Sequence, residues 1–248
     1  MSPEFEPVAG QADHYDAAYY EGNGQAGDRR ALRWYVRMVR RYVGPGPYLD
    51  FGCGTGHLVR RLSEHGAAAG LEISPYSAAT ARATAEGCPV YTAIGDIPTG
   101  GYRGLTAVHV VEHLDDATAT EVLACWHRVL VPGGRALVVT PDPAGRARAL
   151  AGADWTGYRD PTHVNLKPHA QWRRFLTDAG FRVLREGSDG LWNVPYSTLP
   201  KLLDAGVHAV PSLVQFLAGR LFLRPGAGES SIFVIEKPRS RPAESRRR

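Results

Sequence analysis

The sequence predicts an open α/β fold, a mostly parallel sheet with helices on both faces, and three observations carry that prediction. From Pro47 onward, apolar runs of strand length alternate with amphipathic stretches of helical period. The first of these runs carries Asp50 at its end and leads straight into a glycine-rich turn, Gly52-Cys53-Gly54-Thr55-Gly56. A helical pattern follows at once, with Leu58, Val59 and Leu62 on one face and Gly66 placed to stop it. Strand, glycine turn and helix in direct succession make the nucleotide-binding entry of open parallel sheets.

Taken in order, residues 1–12 are expected to be disordered. Residues 13–43 combine Tyr15, Tyr19 and Tyr20 with a basic amphipathic stretch. In that stretch Leu32, Tyr35, Val36 and Val39 would form one apolar face against the sheet, and the tyrosines ahead of it are candidates to cap a ligand. A strand over 67–73 leads to Ser74-Pro75, an N-cap followed by proline at the first helical position, and that helix should stop at Gly87. A short strand near 89–93, a loop through Asp96 and a strand at 106–111 come next. The helix after Asp115-Asp116 has apolar residues at 122, 125, 126 and 129, and Val131-Pro132-Gly133-Gly134 turns the chain into the strand RALVVT. Residues 141–167 read as irregular and polar. A helix from Pro168 to Gly180 should bury Trp172, Phe175 and Leu176, before strands at 181–184 and 230–237.

Between those last strands, 189–228 reads as a helical insertion, expected to be a substrate lid or the face of a homodimer, with a membrane-touching face as the remaining alternative. It is apolar, but Lys201, Asp204, His208 and Arg220 interrupt it and Pro211 breaks it, so no run reaches the ~20 residues of a membrane span. The organisation expected is a cap over 1–44, a main domain over 45–188, the insertion over 189–228, a closing strand over 229–238 and a basic tail over 239–248.

Composition narrows the class. A hydrophobic share of 44% and a charged share of 22% are ordinary for a folded, water-soluble chain of 248 residues. The net charge of +4 comes from the end of the chain, where Arg239, Arg241 and Arg246-Arg247-Arg248 supply five positive charges, so no nucleic-acid partner is expected. Cys53, Cys88 and Cys125 are odd in number and widely spaced, which argues against disulfides and points to a reducing cytoplasm. The opening MSPEFEPVAG has no apolar run and predicts no signal peptide.

The glycine turn also speaks to the ligand. Its glycines fall at 52, 54 and 56, and His57 stands where a dinucleotide site needs Gly or Ala. Asp50 places a carboxylate beside the turn, which would repel a pyrophosphate and attract an ammonium or sulfonium. A cationic adenosyl ligand fits better than NAD. With this turn, Glu72 after the second strand, Gly95-Asp96, Val110-Val111-Glu112-His113-Leu114 and Leu130-Val131-Pro132-Gly133-Gly134, the chain resembles the class I S-adenosylmethionine-dependent methyltransferases over 45–187, with 230–237 also matching. The resemblance implies a Rossmann-like sheet of seven strands, the last antiparallel, with S-adenosylmethionine over the strand carboxyl ends. It implies that Asp50 holds the methionine amine and that Gly52, Cys53 and Gly54 pass beneath the ligand. Glu72 would accept from both ribose hydroxyls with Ile73 beside it, Asp96 and Ile97 would meet the adenine, and His109 would line the methionine side.

Methyl transfer to a hydroxyl needs alignment and a proton acceptor. His113, after the fourth strand, and His163, in GYRDPTHVN, are the candidate bases, with His163 ahead. Small-RNA 2′-O-methyltransferases and ubiquinone-pathway O-methyltransferases hold a divalent cation with Glu-x-x-Glu-His after this strand. Here His109 replaces the first Glu, so His109, Glu112, His113 and His163 are candidate metal ligands, and the metal-free base is preferred. The expected function is methylation of a small-molecule hydroxyl in secondary or saccharide metabolism. The alternative is an adenosyl-ligand-binding protein, or an oxidoreductase with an atypical nucleotide turn, on the same fold.

Overall fold

The computed structural model describes residues 16–22, 27–192, 196 and 200–239. The expected disordered start and nearly all of the basic tail lie outside these residues, as does Tyr15. Seven strands, β1 (Tyr48–Phe51), β2 (Ala68–Leu71), β3 (Val90–Tyr91), β4 (Tyr102–Val108), β5 (Leu130–Pro141), β6 (Arg182–Ser188) and β7 (Ser230–Glu236), form one sheet in the order β3-β2-β1-β4-β5-β7-β6. The pairs from β3 to β5 are parallel, and β7 runs antiparallel to both β5 and β6. The chain winds outward from β1 through β2 to β3, then returns to β4 on β1's other side. That reversal opens a crevice beyond the carboxyl ends of β1 and β4.

Alternation along the strands builds two cores. Ala136 and Val138 of β5, with Phe233 and Ile235 of β7, face Trp126, Trp172 and Leu176 on one side. Leu137, Val139, Ile232 and Val234 face the other, where α2 (Arg30–Met38) lays Leu32, Tyr35 and Val36 on the sheet as the periodicity predicts. Its continuation, a π-helical turn over Val39–Val43, adds Val39. It follows a short α1 (Ala17–Gly22).

The capping signals hold. Ser74 accepts from the Ser77 amide at the start of α4 (Pro75–Thr84), with Pro75 in the first turn. Asp115 accepts from the Thr118 amide at 2.8 Å to open α5 (Asp116–Val129). Gly56 at φ 82° opens α3 (His57–Ser63), whose Leu58, Val59 and Leu62 are buried.

Three boundaries differ from the sequence expectation. β4 starts and ends earlier than 106–111: Gly104 belongs to the strand because the Tyr48 ring lies where its Cβ would be, 2.7 Å away, and the strand gives way at His109. Val131-Pro132-Gly133-Gly134 is a bulge within β5 rather than a turn, with Gly133 at φ 81° and a register shift opposite Tyr102 and Gly104. Residues 141–167 are not wholly irregular, since α6 (Arg146–Ala151) forms within them. α7 (His169–Asp178) buries Trp172 and Leu176 and partly buries Phe175.

Between β6 and β7 lie α8 (Lys201–His208) and α9 (Val210–Ala218). Buried Gln215 anchors them: its amide nitrogen donates to the Ser188 carbonyl at 2.9 Å, and its oxygen accepts from the Phe222 and Leu223 amides at 2.7 and 2.9 Å. Arg37 of α2 donates to the Phe216 carbonyl at 3.1 Å. Among the described residues no helix is long and apolar enough to cross a membrane.

Candidate functional site

A cavity occupies the crevice. It is lined by the glycine turn, by Asp50, Glu72 and Ile73 at the ends of β1 and β2, by Val108, His109, Val110 and His113 after β4, and by Tyr19, Arg29 and Leu32 from the N-terminal segment. The turn can run here because two positions exclude a side chain. A Cβ on Gly52, at φ 72°, would lie 2.6 Å from Val110, and one on Gly56 would lie 2.7 Å from the Ala81 backbone of α4. The amides of Gly52 and Cys53 both donate to the Leu71 carbonyl at 2.9 Å, which ties the turn to β2. Cys53 turns its sulfur toward Gly70, where a Cβ would come within 2.5 Å, so it offers the cavity backbone rather than thiol.

Asp50 is 3% exposed and accepts from the Thr106 hydroxyl at 2.6 Å. Burial pushes its carboxyl up to about 7, against the Thr106 hydrogen bond, with the Glu72 charge adding to the rise. Glu72 spans the mouth of the turn, accepting from the Gly54 amide at 2.8 Å and the Ser74 amide at 2.9 Å. Burial raises its pKa too, while the backbone donors at Ser74, Gly54 and Ile73 oppose the rise. Each of its oxygens keeps a second acceptor direction.

Asp96 and Ile97 are not brought to this cavity's lining. Asp96 is exposed on the short turn Ile94–Asp96, Ile97 is buried in the core, and the Ile97 carbonyl accepts from Arg128 at 2.6 Å.

His109 leaves β4 at φ 57°, a left-handed conformation that costs a residue with a Cβ and marks a constrained position. Its Nδ1 donates to Glu112 Oε1 at 3.1 Å. Glu112 is fully buried, and its Oε2 has no hydrogen-bond partner among the described residues. Burial would raise its pKa, yet the His109 hydrogen bond and the charges of His109 and His113 outweigh that and leave it lowered.

One donor atom from each of Glu112, His113 and His163 lies within 4.8 Å of the others. The imidazoles of His113 and His163 are 4.7 Å apart between centroids. His109 is outside this trio, and clamps Glu112 from the side. The loop does fold back over the end of β4. The Asn165 amide donates to the Glu112 carbonyl at 2.9 Å, and its side chain donates to the Leu114 carbonyl at 2.7 Å and to Asp116 at 2.9 Å.

Both rings have a set tautomer. His163 Nδ1 donates to the Gly157 carbonyl at 2.7 Å, so the neutral form of the ring has its lone pair on Nε2, which faces Asp160 Oδ2 at 4.0 Å. His113 Nδ1 faces Thr162 Oγ1 at 2.8 Å, and that hydroxyl donates to Asp160, so the ring is the donor and Nε2 again carries the lone pair. Burial lowers the His113 pKa, partly offset by Glu112, and keeps the ring neutral near pH 7. Asp160 accepts in addition from the Tyr19 hydroxyl at 2.8 Å, so one of the three predicted capping tyrosines reaches the site. The Tyr20 side chain lies outside the described residues. Sequence reasoning missed Thr106, Asp160, Thr162 and Asn165. An Asp-Pro-Thr turn was the available signal for two of them.

Comparison with known proteins agrees with this architecture. Residues 24–186 match the family described as a methyltransferase domain. A methyltransferase from Haloferax volcanii, solved with the Trm112 methyltransferase activator, shares the fold at a TM-score of 0.63 and 19% identity, covering 93% of this chain and 99% of that one. A S-adenosylmethionine-dependent methyltransferase from Thermotoga maritima gives 0.62 at 17% identity, covering 88% and 95%. The mitomycin 7-O-methyltransferase MmcR gives 0.60 at 19% identity, covering 92% of this chain and 60% of its own. No curated protein sequence matches the chain. On its family match, carried by a seven-stranded sheet whose last strand is antiparallel, the chain belongs to the methyltransferase-domain family and is an S-adenosylmethionine-dependent methyltransferase.

Proposed function

We propose that the enzyme methylates a hydroxyl group of a small molecule. When bound, S-adenosylmethionine supplies an electrophilic methyl group on a sulfonium. The cavity fits such a ligand: Asp50 is a buried carboxylate whose side-chain partner is the Thr106 hydroxyl, with no cation in hydrogen-bonding reach among the described residues, so an ammonium or sulfonium would complement it. Asp50 and His109 would hold the methionine end, Gly52, Cys53 and Gly54 would pass beneath, and Glu72 with Ile73 would take the ribose. Asp96, on the exposed turn Ile94–Asp96 with the Ile97 backbone beside it, would meet an adenine that extends beyond the residues lining the cavity.

The observation that carries the hydroxyl acceptor is the His113 imidazole on the cavity's lining, kept neutral by burial with its lone pair on Nε2, and the His163 ring 4.7 Å from it. His163, or His113 nearer the cavity, removes the acceptor's proton while the surrounding loop holds the oxygen in line. The Tyr19 hydrogen bond to Asp160 ties the N-terminal segment to the loop that carries His163. The acceptor class proposed is a secondary-metabolite or saccharide hydroxyl; MmcR, which shares the fold, is named for methylation at oxygen. The free Cys53, Cys88 and Cys125 suit work in a reducing cytoplasm.

A second reading has its own observation. Glu112, whose Oε2 is buried without a hydrogen-bond partner among the described residues, offers a carboxylate oxygen within 4.8 Å of donor atoms of His113 and His163. Two imidazoles anchored through Nδ1 and one carboxylate suit a divalent transition ion better than magnesium.

Labelled methyl transfer to a panel of hydroxylated metabolites tests the activity, and chelation separates the two readings. With a base alone, EDTA has no effect and one histidine substitution costs about 10²–10⁴-fold in rate. With an ion, the purified protein carries metal, EDTA abolishes turnover, and E112Q, H113Q and H163Q are equally severe. Calorimetry that finds NAD binding and no response to S-adenosylmethionine would overturn both.

A further inference from the structure

α8 and α9 are built inside out. Their buried residues are Asp204, His208, Ser212 and Gln215, a polar stripe at helical spacing that faces the protein. Their outward faces carry Leu202, Leu203, Val207, Leu213, Val214 and Leu217, with Leu202 89% and Leu217 67% exposed. An ordinary surface helix does the reverse. The inward polar groups are satisfied, since Asp204 accepts from the Tyr196 amide at 2.8 Å, Ser212 from the Leu191 amide at 2.7 Å, and Gln215 makes the bonds given above. The orientation is therefore fixed by hydrogen bonding, and the apolar face is presented outward.

Charge says what covers that face. Between residues 200 and 228 the one acid is Asp204, which is fully buried, while Lys201, Arg220 and Arg224 are exposed. Arg37, Arg40 and Arg41 stand beside the end of α9, around a groove completed by Leu217, Ala218 and Gly219. Trp192 and Phe222 are also exposed, as aromatic side chains at a membrane-water boundary are. A two-fold pairing of this face with itself would gather arginines from both copies round a seam where residues 200–228 offer no exposed acid. An anionic surface with an apolar interior complements it, and helices of eight and nine residues would lie in its plane rather than cross it.

We infer that the α8–α9 face docks the enzyme on anionic phospholipid bilayers. The docking surface buries the outward leucines and valines at the level of the acyl boundary, and the arginines meet lipid phosphates.

Vesicle co-sedimentation of the full chain tests this, with phosphatidylcholine vesicles against vesicles that also contain phosphatidylserine. Partitioning should favour the anionic vesicles by roughly tenfold or more and weaken with salt. An L202S/L217S variant should stay in the supernatant while keeping wild-type affinity for S-adenosylmethionine, and R40E/R41E should lose the preference for anionic lipid. Wild-type protein that ignores both vesicle types would overturn the inference, as would equal binding to both. So would a dimer, seen by sedimentation equilibrium, that L202S/L217S dissociates, because a second copy would then be the occupant.

Discussion

Buried at the end of β1 with a hydroxyl as its partner, Asp50 holds its proton up to about pH 7, so a cationic ligand that needs the carboxylate must displace that proton below neutrality. Affinity for S-adenosylmethionine should be flat above about pH 7 and fall about tenfold per unit below it, with proton release in calorimetry run in buffers of different ionisation enthalpy. The linkage to folding has the opposite sense. Because the folded pKa lies above the unfolded one, the folded state binds more protons between about pH 4 and 7, and Asp50 costs stability as pH rises through that window. Asp50→Asn should therefore be more stable than wild type to urea unfolding at about pH 8, by up to about 4 kcal/mol, with the difference gone below about pH 4. Glu72→Ala should weaken cofactor binding by about 2–3 kcal/mol, through loss of a charge-assisted acceptor. It should also lower the melting temperature, because the Gly54 and Ser74 amides lose their partner. Both acids were legible in the sequence, since each sits where a strand of known direction meets a turn. Thr106, Thr162 and Asn165 were not, because they matter through partners 49–56 residues away that only the folded loop brings near.

At the scale of elements, the helices that local signals punctuate came out where serine, aspartate, proline and glycine put them. The errors cluster where a long-range contact overrides a local signal: Gly104 stays in β4 under the Tyr48 ring, and Gly133 bends β5 without ending it. The insertion was legible as helical and apolar, but not as inverted, since an apolar majority hides which residues point inward. Gln215 is the test of that orientation. Gln215→Ala leaves two amides and the Ser188 carbonyl without their partner, and should destabilise the protein by about 2–3 kcal/mol in urea unfolding. Gln215→Glu keeps the two accepted bonds and should recover part of that loss. Equal stability of all three proteins would show that the helices are held by something else.

For the molecule as a whole, the sheet and the insertion make separable contributions. The cavity is lined from β1, β2, β4 and the N-terminal segment, and by nothing from α8 or α9. Replacing 191–224 by a short linker should leave S-adenosylmethionine affinity within about threefold, at a lower melting temperature because Tyr42 loses its bond to the Leu221 amide. Loss of the cofactor site together with the fold would mean the segment is core. The order of the strands has a further consequence, for synthesis. β7 is last in the chain yet fully buried, between β5 and β6, with Glu236 paired to Arg135 on one side and Arg182 on the other. A nascent chain that has not yet released residue 236 exposes two unpaired strand edges in the middle of its sheet. Synthesis therefore passes through an interval in which β1 to β6 have been made and the facing edges of β5 and β6 have no partner. A pause or stop codon in that interval should yield chaperone-bound or aggregated protein rather than a smaller working domain.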